Sequence, residues 1–305
     1  MLRQLGRSMR RAVLCTAGLA AAALAVGAAT VLPSAPWAPD GAAAEAQATT
    51  QATTQSATGA PVLPLFARTT DGRLYFYEPK GTGGFKPGVN LGGGFGDAKA
   101  LFQAGFSESR AGRDIFFQLD TTLYYTAERG NDTKIHGTGW GIYNLTMSPG
   151  NMVGTTDEDV IGRDAAGALW LYQGRSTGTL ATRIRIGTGG WNGMNALAGR
   201  GDYTGDGKAD LLARSTDGTL HLYPGTGNAT ADAVLGPRVT VSTGWSGYKA
   251  IVSTGDNNGD GKADLIASDT AGALWLFKGT GQAAAPFQAR VQIGTSGWGS
   301  FNTLF

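Results

Sequence analysis

From Pro61 onward, apolar and polar positions alternate with a period of two in short runs broken by Gly, Asp and Thr, and no stretch holds the 3.6-residue period of a helix. The runs recur in a fixed order. One cassette starts at Asp264 and reads Leu265-Ile266-Ala267-Ser268, a turn at Thr270-Ala271-Gly272, then Ala273-Leu274-Trp275-Leu276-Phe277. It continues with Arg290-Val291-Gln292-Ile293 and closes on Gly297-Trp298. The same order follows Asp210 and Asp159, more loosely Asp114, and begins without an Asp at Leu65. Five copies, starting near 64, 114, 159, 210 and 264, give a period of 45 to 54 residues.

One more short strand lies between each closing aromatic and the next copy, at Ala98–Ala104, Tyr143–Met147, Met194–Ala198 and Tyr248–Ser253. Each unit therefore holds four strands. A four-stranded unit of about 50 residues is the blade of a β-propeller, so the pattern predicts an all-β, five-bladed propeller over residues 61–305. The first copy lacks a leading strand, whereas Phe301-Asn302-Thr303-Leu304-Phe305 follows Trp298 where such a strand belongs. Pairing of this segment with the blade begun at Pro61 closes the ring and removes the unpaired edges that an open array would leave. The closing aromatics Phe95, Trp140, Trp191, Trp245 and Trp298 read as core that locks blades together.

Two copies open with an acidic loop. Asp256-Asn257-Asn258-Gly259-Asp260-Gly261-Lys262-Ala263-Asp264 carries oxygen-bearing side chains at its positions 1, 3, 5 and 9 and a glycine at 6, the grammar of a calcium loop. Asp202-Tyr203-Thr204-Gly205-Asp206-Gly207-Lys208-Ala209-Asp210 repeats it. The spaced duplication makes two calcium sites the expectation, with a structural role: no His or Glu base accompanies either loop.

Asp-x-Asx-x-Asp-Gly-x-x-Asp followed by Leu-[Leu/Ile]-Ala, inside a blade-length repeat, resembles the FG-GAP/VCBS repeats of integrin α-subunit propellers and of many secreted bacterial proteins. The likeness covers Asp159 to Trp298 well and Pro61 to Trp140 loosely. It implies Asp256, Asn258, Asp260 and Asp264, and Asp202, Thr204, Asp206 and Asp210, as side-chain calcium ligands, with the carbonyls of Lys262 and Lys208 at position 7. The spans before Asp159 and Asp114 lack the spaced oxygens, and Arg110 stands where a carboxylate is needed, so those blades are expected to be metal-free. Five blades are fewer than the seven of integrins, so integrin partners do not carry over. Five-bladed secreted propellers of the tachylectin type bind sugars, which brings in a lectin reading by analogy.

The amino terminus has a different character. Arg3, Arg7, Arg10 and Arg11 precede an Ala/Leu/Val run from Ala12 to about Val31, with Ala44-Glu45-Ala46 as a small-x-small site. This predicts a cleaved export signal over 1–46, the alternative being an uncleaved anchor, and a flexible Ala/Thr/Gln tether over 47–60. The signal holds four of the 25 Lys and Arg, two of the 23 Asp and Glu, and the lone Cys15. The remainder is close to neutral and free of cysteine, which gives no charge argument for nucleic acid or an anionic membrane and leaves nothing to form a disulfide.

Tyr75, Tyr124, Trp170 and Trp275, with His221, share one register in the third strand. Such a set serves either as packing between blades or as a ring of stacking platforms for sugar faces. Only two histidines exist, His136 and His221, and there is no HExxH or nucleophile elbow. The expectation is a secreted, calcium-stabilised binding or adhesion module for a protein or glycan ligand. A lectin is the alternative, and a hydrolase working through carboxylates is the least favoured.

Overall fold

A computed structural model describes residues 60–106, 114–127 and 132–305. The export signal, nearly all of the tether and Arg110 lie outside the described residues. Among those described there are five antiparallel four-stranded sheets, one per blade, and no helix long and apolar enough to cross a membrane.

Blade I comprises β1 (Leu65–Thr69), β2 (Leu74–Tyr77) and β3 (Val89–Gly92), and blade II β4 (Ala100–Ala104), β5 (Asp114–Leu119), β6 (Thr122–Ala127) and β7 (Asp132–Thr138). Blade III is β8 (Tyr143–Gly150), β9 (Asp159–Asp164), β10 (Leu169–Tyr172) and β11 (Ile184–Gly187). Blade IV is β12 (Met194–Gly201), β13 (Asp210–Ser215), β14 (Leu220–Tyr223) and β15 (Val239–Ser242). Blade V is β16 (Tyr248–Val252), β17 (Leu265–Asp269), β18 (Leu274–Phe277) and β19 (Val291–Gly294). The last strand, β20 (Phe301–Leu304), pairs with β1 and makes blade I order β20-β1-β2-β3.

The ring therefore closes as its sequence predicts. Leu304 lies opposite Ala67 and Thr303 opposite Arg68. Just beyond the strand, Phe305 and Phe66 exchange both backbone bonds, at 2.9 and 2.8 Å. Phe305 also stacks on Phe66, with ring centroids 5.4 Å apart. The leading strands β20, β4, β8, β12 and β16 are neighbours around the ring, so they form its inner wall.

Hydrophobic clusters sit between blades, because each sheet has two apolar faces and the neighbouring blade is what covers them. Trp140, Trp191, Trp245 and Trp298 each start a single 3₁₀ turn behind a left-handed glycine, and all are buried. Each ring packs on the aromatic that ends the third strand of the next blade: Trp140 on Tyr172 (5.0 Å between centroids), Trp191 on Tyr223 (4.6 Å), Trp245 on Phe277 (4.6 Å) and Trp298 on Tyr77 (4.7 Å). At the seam of blades I and II, Phe95 instead lies edge-on to Phe117 of the second strand, with ring centroids 5.3 Å apart. A glycine in the fourth strand makes room for the indole: a Cβ at Gly294 would lie 2.4 Å from Trp298 Nε1.

A second lock was not anticipated. Arg68, Arg163 and Arg214 share one register in the second strand. Arg68 Nη1 donates to the carbonyls of Phe95 (2.9 Å) and Ala98 (2.6 Å), and Arg163 Nη1 to those of Trp191 (2.8 Å) and Met194 (2.6 Å). Arg214 does the same to Trp245 and Tyr248, while Gln118 stands in for the arginine in blade II and reaches the Trp140 carbonyl. The guanidinium adds a second donor to the Trp191 and Trp245 carbonyls, which already accept the N–H that caps the turn, and so ties the second strand to the closing turn.

Candidate functional site

The two acidic loops join the first and second strands of blades IV and V. Gly205 and Gly207 (φ 80° and 84°) and Gly259 and Gly261 (φ 81° and 86°) bend each loop so that its amides point inward. Asp202 Oδ1 accepts from the N–H of Gly205 (2.6 Å) and Asp206 (3.1 Å), and its Oδ2 from Gly207 (2.7 Å). Asp256 repeats the arrangement with Gly259 (2.7 Å), Asp260 (3.1 Å) and Gly261 (2.7 Å). Asp206 and Asp260 are exposed, and each accepts from the N–H two residues on, that of Lys208 or Lys262, at 3.0 Å. Thr204 donates to Asp202, and Asn258 Nδ2 lies 3.2 Å from Asp260 Oδ2 and 3.3 Å from Asp264 Oδ1.

The ninth residue behaves differently. Asp210 is fully buried; its Oδ2 accepts from the N–H of Tyr203 (2.8 Å) and Thr204 (2.9 Å), and its Oδ1 from Gly225 (2.8 Å). Asp264 holds Asn257 (3.0 Å), Asn258 (3.1 Å) and Gly279 (2.9 Å) in the same way. Asp159 of blade III, whose loop lacks the calcium pattern, holds Met152 (2.9 Å), Val153 (3.1 Å) and Gly174 (3.3 Å) identically. The register places Pro64 and Pro79 at the corresponding points of blade I, so the acceptor and the N–H it would serve are both missing there. The ninth Asp is thus a peg that fastens the loop to the end of the third strand, whether or not the other oxygens are present.

Burial pushes the Asp159 carboxyl up to about 7, and those of Asp210 and Asp264 up to about 6, while the three amides on each work in the opposite direction. Raised carboxyls in a cleft would suggest acid–base chemistry. Here burial beneath the loop accounts for them.

Each loop also seats against the next blade. A Cβ at Gly205 would fall 2.2 Å from the Gly281 carbonyl, and one at Gly259 2.5 Å from that of Gly81. Tyr203 is completely buried, edge-on to Phe287, with its hydroxyl on the Gly199 carbonyl (2.9 Å). Asn257 takes the N–H of Gly84 on its side chain (2.6 Å) and that of Gly83 on its carbonyl (3.1 Å).

The donor set suits a hard cation: its side-chain oxygens come from Asp, Asn and Thr, with no sulfur or imidazole among them. In the arrangement described, however, the first and ninth carboxylates hold the loop's own amides. Among the described residues no three Asp, Glu, His or Cys side chains converge as metal ligands.

The third-strand set occupies one register but four separate seams plus a buried site. Tyr75 lies edge-on to Phe301 (5.6 Å) between blades V and I, and Tyr124 stacks on Phe117 (5.4 Å) between I and II. Trp170 and Trp275 pack against the clusters between II and III and between IV and V. Each carries a guanidinium over its ring, Arg183 at 4.1 Å and Arg290 at 4.0 Å, and each Nε1 donates to a carboxylate, Asp164 or Asp269, at 2.8 Å. His221 is buried, with Nδ1 3.4 Å from the Thr240 hydroxyl. One face of each indole is therefore already occupied. The sequence carries the signal for this: an Arg recurs immediately before the fourth strand, at 183, 238 and 290.

Residues 202–267 match the FG-GAP-like repeat. That FG-GAP-like repeat begins at the first aspartate of the blade IV loop and ends in β17, so both acidic loops fall inside it. No curated protein matches the chain in sequence. Among solved structures, one described with the de novo evolutionary emergence of a symmetrical protein is 16% identical with a TM-score of 0.54, over 80% of this chain and 98% of that one. An Agrocybe aegerita lectin recognising non-reducing terminal N-acetylglucosamine is 17% identical (TM-score 0.47, 82% and 70% covered). The fucose-specific lectin from Aleuria aurantia is 12% identical (TM-score 0.41, 78% and 81% covered). At such identities, likeness speaks to fold alone.

Proposed function

We propose that the chain is a secreted, calcium-reinforced propeller that works as a non-catalytic binding or adhesion module. The observation that carries the reading is the engagement of its reactive-looking groups: the raised carboxyls of Asp159, Asp210 and Asp264 each hold three backbone amides that fasten loop to blade. His136 and His221 lie in different blades, one among aromatic rings and the other buried beside Thr240. Asp202, Thr204, Asp206 and Asp210, and Asp256, Asn258, Asp260 and Asp264, with the Lys208 and Lys262 carbonyls, are the groups that would hold calcium. Bound calcium would neutralise the loops and tighten their seats on blades V and I.

Two measurements test this. Scanning calorimetry with millimolar calcium against chelator should show the higher melting temperature in calcium, because a ligand at 100 times its Kd stabilises by about 2.7 kcal/mol. Asp202→Ala with Asp256→Ala should abolish the difference; an unchanged parent melt overturns the calcium reading. Incubation with a panel of chromogenic glycosides and esters should give no turnover, and turnover lost on Asp159→Asn would make the chain an enzyme.

A further inference from the structure

The repeat allows one blade to be compared with the other four, position by position. In the fourth strand, the residue opposite the third-strand aromatic is polar in four blades, as Asn90, Arg185, Thr240 and Gln292, and the next residue is aliphatic, as Leu91, Ile186, Val241 and Ile293. Blade II inverts both. Ile135 stands opposite Tyr124 and is 64% exposed, and His136 follows where the seam takes an aliphatic side chain elsewhere. One residue earlier in the partner strand's register, Tyr125 replaces the Leu171, Leu222 and Leu276 of blades III, IV and V. Packing does not account for an isoleucine turned to water beside an imidazole turned inward, because a period-two strand gains by the opposite choice.

The inverted residues border an open cleft of about 380 Å³ between blades II and III. Tyr125 and Trp140 are its buried floor, and Tyr172, Thr179 and Leu180 contribute from the blade III side. The His136 ring sits edge-on to Phe106 (5.6 Å), Phe116 (5.7 Å) and Tyr125 (6.0 Å), and its nitrogens have no hydrogen-bond partner among the described residues. Burial holds its pKa below the usual imidazole value, so the ring is neutral at pH 7 and offers one donor and one acceptor. Among the described residues no Asp, Glu, Lys or Arg side chain lines the cleft, so that lining offers a charged ligand no counter-charge. Aromatic surface, a free imidazole, hydroxyls and a volume at the small end of ligand pockets suit a compact neutral molecule with one apolar face and several polar edges.

Resting on the reading of the chain as a binding module, we infer that this cleft is a site for a single uncharged sugar ring, with aromatic surface against its C–H face and His136 hydrogen-bonded to a ring hydroxyl. The test is saturation-transfer NMR on the full chain with methyl glycosides of glucose, galactose, mannose, fucose and N-acetylglucosamine, and with a glucuronide as the anionic control. At least one neutral glycoside should show transfer, and the glucuronide none. His136→Ile restores the residue type of the other blades, so it should keep the parent melting temperature yet weaken binding at least tenfold. Leu180→Arg, at the other wall, should do the same. Unaltered affinity in His136→Ile and Leu180→Arg would place sugar binding elsewhere and overturn the assignment while sparing the module reading. Absence of transfer from every neutral glycoside, or a response to the glucuronide alone, overturns it as well; turnover of a glycoside would instead end the module reading.

Discussion

Replacing Asp159 by Ala removes the acceptor of three buried amides, those of Met152, Val153 and Gly174. An orphaned buried donor costs about 1–3 kcal/mol, and the relief of an unfavourably buried carboxylate offsets part of the total, which leaves about 3 kcal/mol. In a domain of this size that lowers the melting temperature by about 6–12 °C. Asp206→Ala is the internal control. Its side chain is exposed, accepts the Lys208 N–H at 3.0 Å and meets the equally exposed Lys208 ammonium at 3.4 Å, so it should cost about 1 kcal/mol or less without calcium. A pH series adds a second readout. The folded Asp159 carboxyl titrates at about 7, above the ordinary 3.8, so between those values the folded state holds a proton that the unfolded chain does not. Parent stability must then rise as pH falls from 8 towards 5, by about 2–3 kcal/mol from this residue, and Asp159→Ala must lose that increment. Urea melts at pH 8 and pH 5 in chelator measure both effects. An Asp159→Ala protein that melts within 2 °C of the parent, or that keeps the whole pH dependence, would refute the peg.

Trp298→Ala should cost about 3–5 kcal/mol in urea melts, because the ring fills the seam against Tyr77 and no other side chain is shaped to take its place. Arg200→Ala should destabilise by about 2–3 kcal/mol by removing the counter-charge of the half-buried Glu158, which Arg200 meets at 3.2 Å and which also accepts the Gly105 N–H, and Glu158→Gln in the same chain should recover part of the loss in a double-mutant cycle. Arg68→Lys should cost about 1–2 kcal/mol by calorimetry, since one ammonium cannot reproduce a fork bonded to Phe95, Ala98, Asn302 and Thr303 at once.

The architecture was legible because it is written five times. Alternation gives strands, repetition gives blades, and the misplaced strand at Phe301 gives closure; none of these depends on side-chain geometry. The site was less legible for a reason visible at Asp210. Its spacing from Asp202 is that of a ligand, but spacing does not reveal that a carboxylate oxygen also holds backbone amides, a second use that the matching Asp159, together with Pro64 and Pro79, makes visible. Trp170 and Trp275 show the same limit: alternation puts them at a seam, while the arginines that cover them come from the next strand. His136 was readable in principle, by aligning the fourth strands and asking which blade breaks the rule. Its copy is the one whose repeat is hardest to align, so the break was hidden by the weak match around it.

Strand β20 joins residues far apart in the chain: Arg68 bonds to Asn302 and Thr303 across 234 and 235 positions. Blades II to V each pair strands that are near neighbours in sequence, and can assemble in turn as the chain emerges. Blade I cannot, since its innermost strand follows all of blades II to V in the chain. During synthesis the first hairpin must therefore wait with one edge open, and a chaperone or a neighbouring nascent chain has the whole of that interval in which to find it.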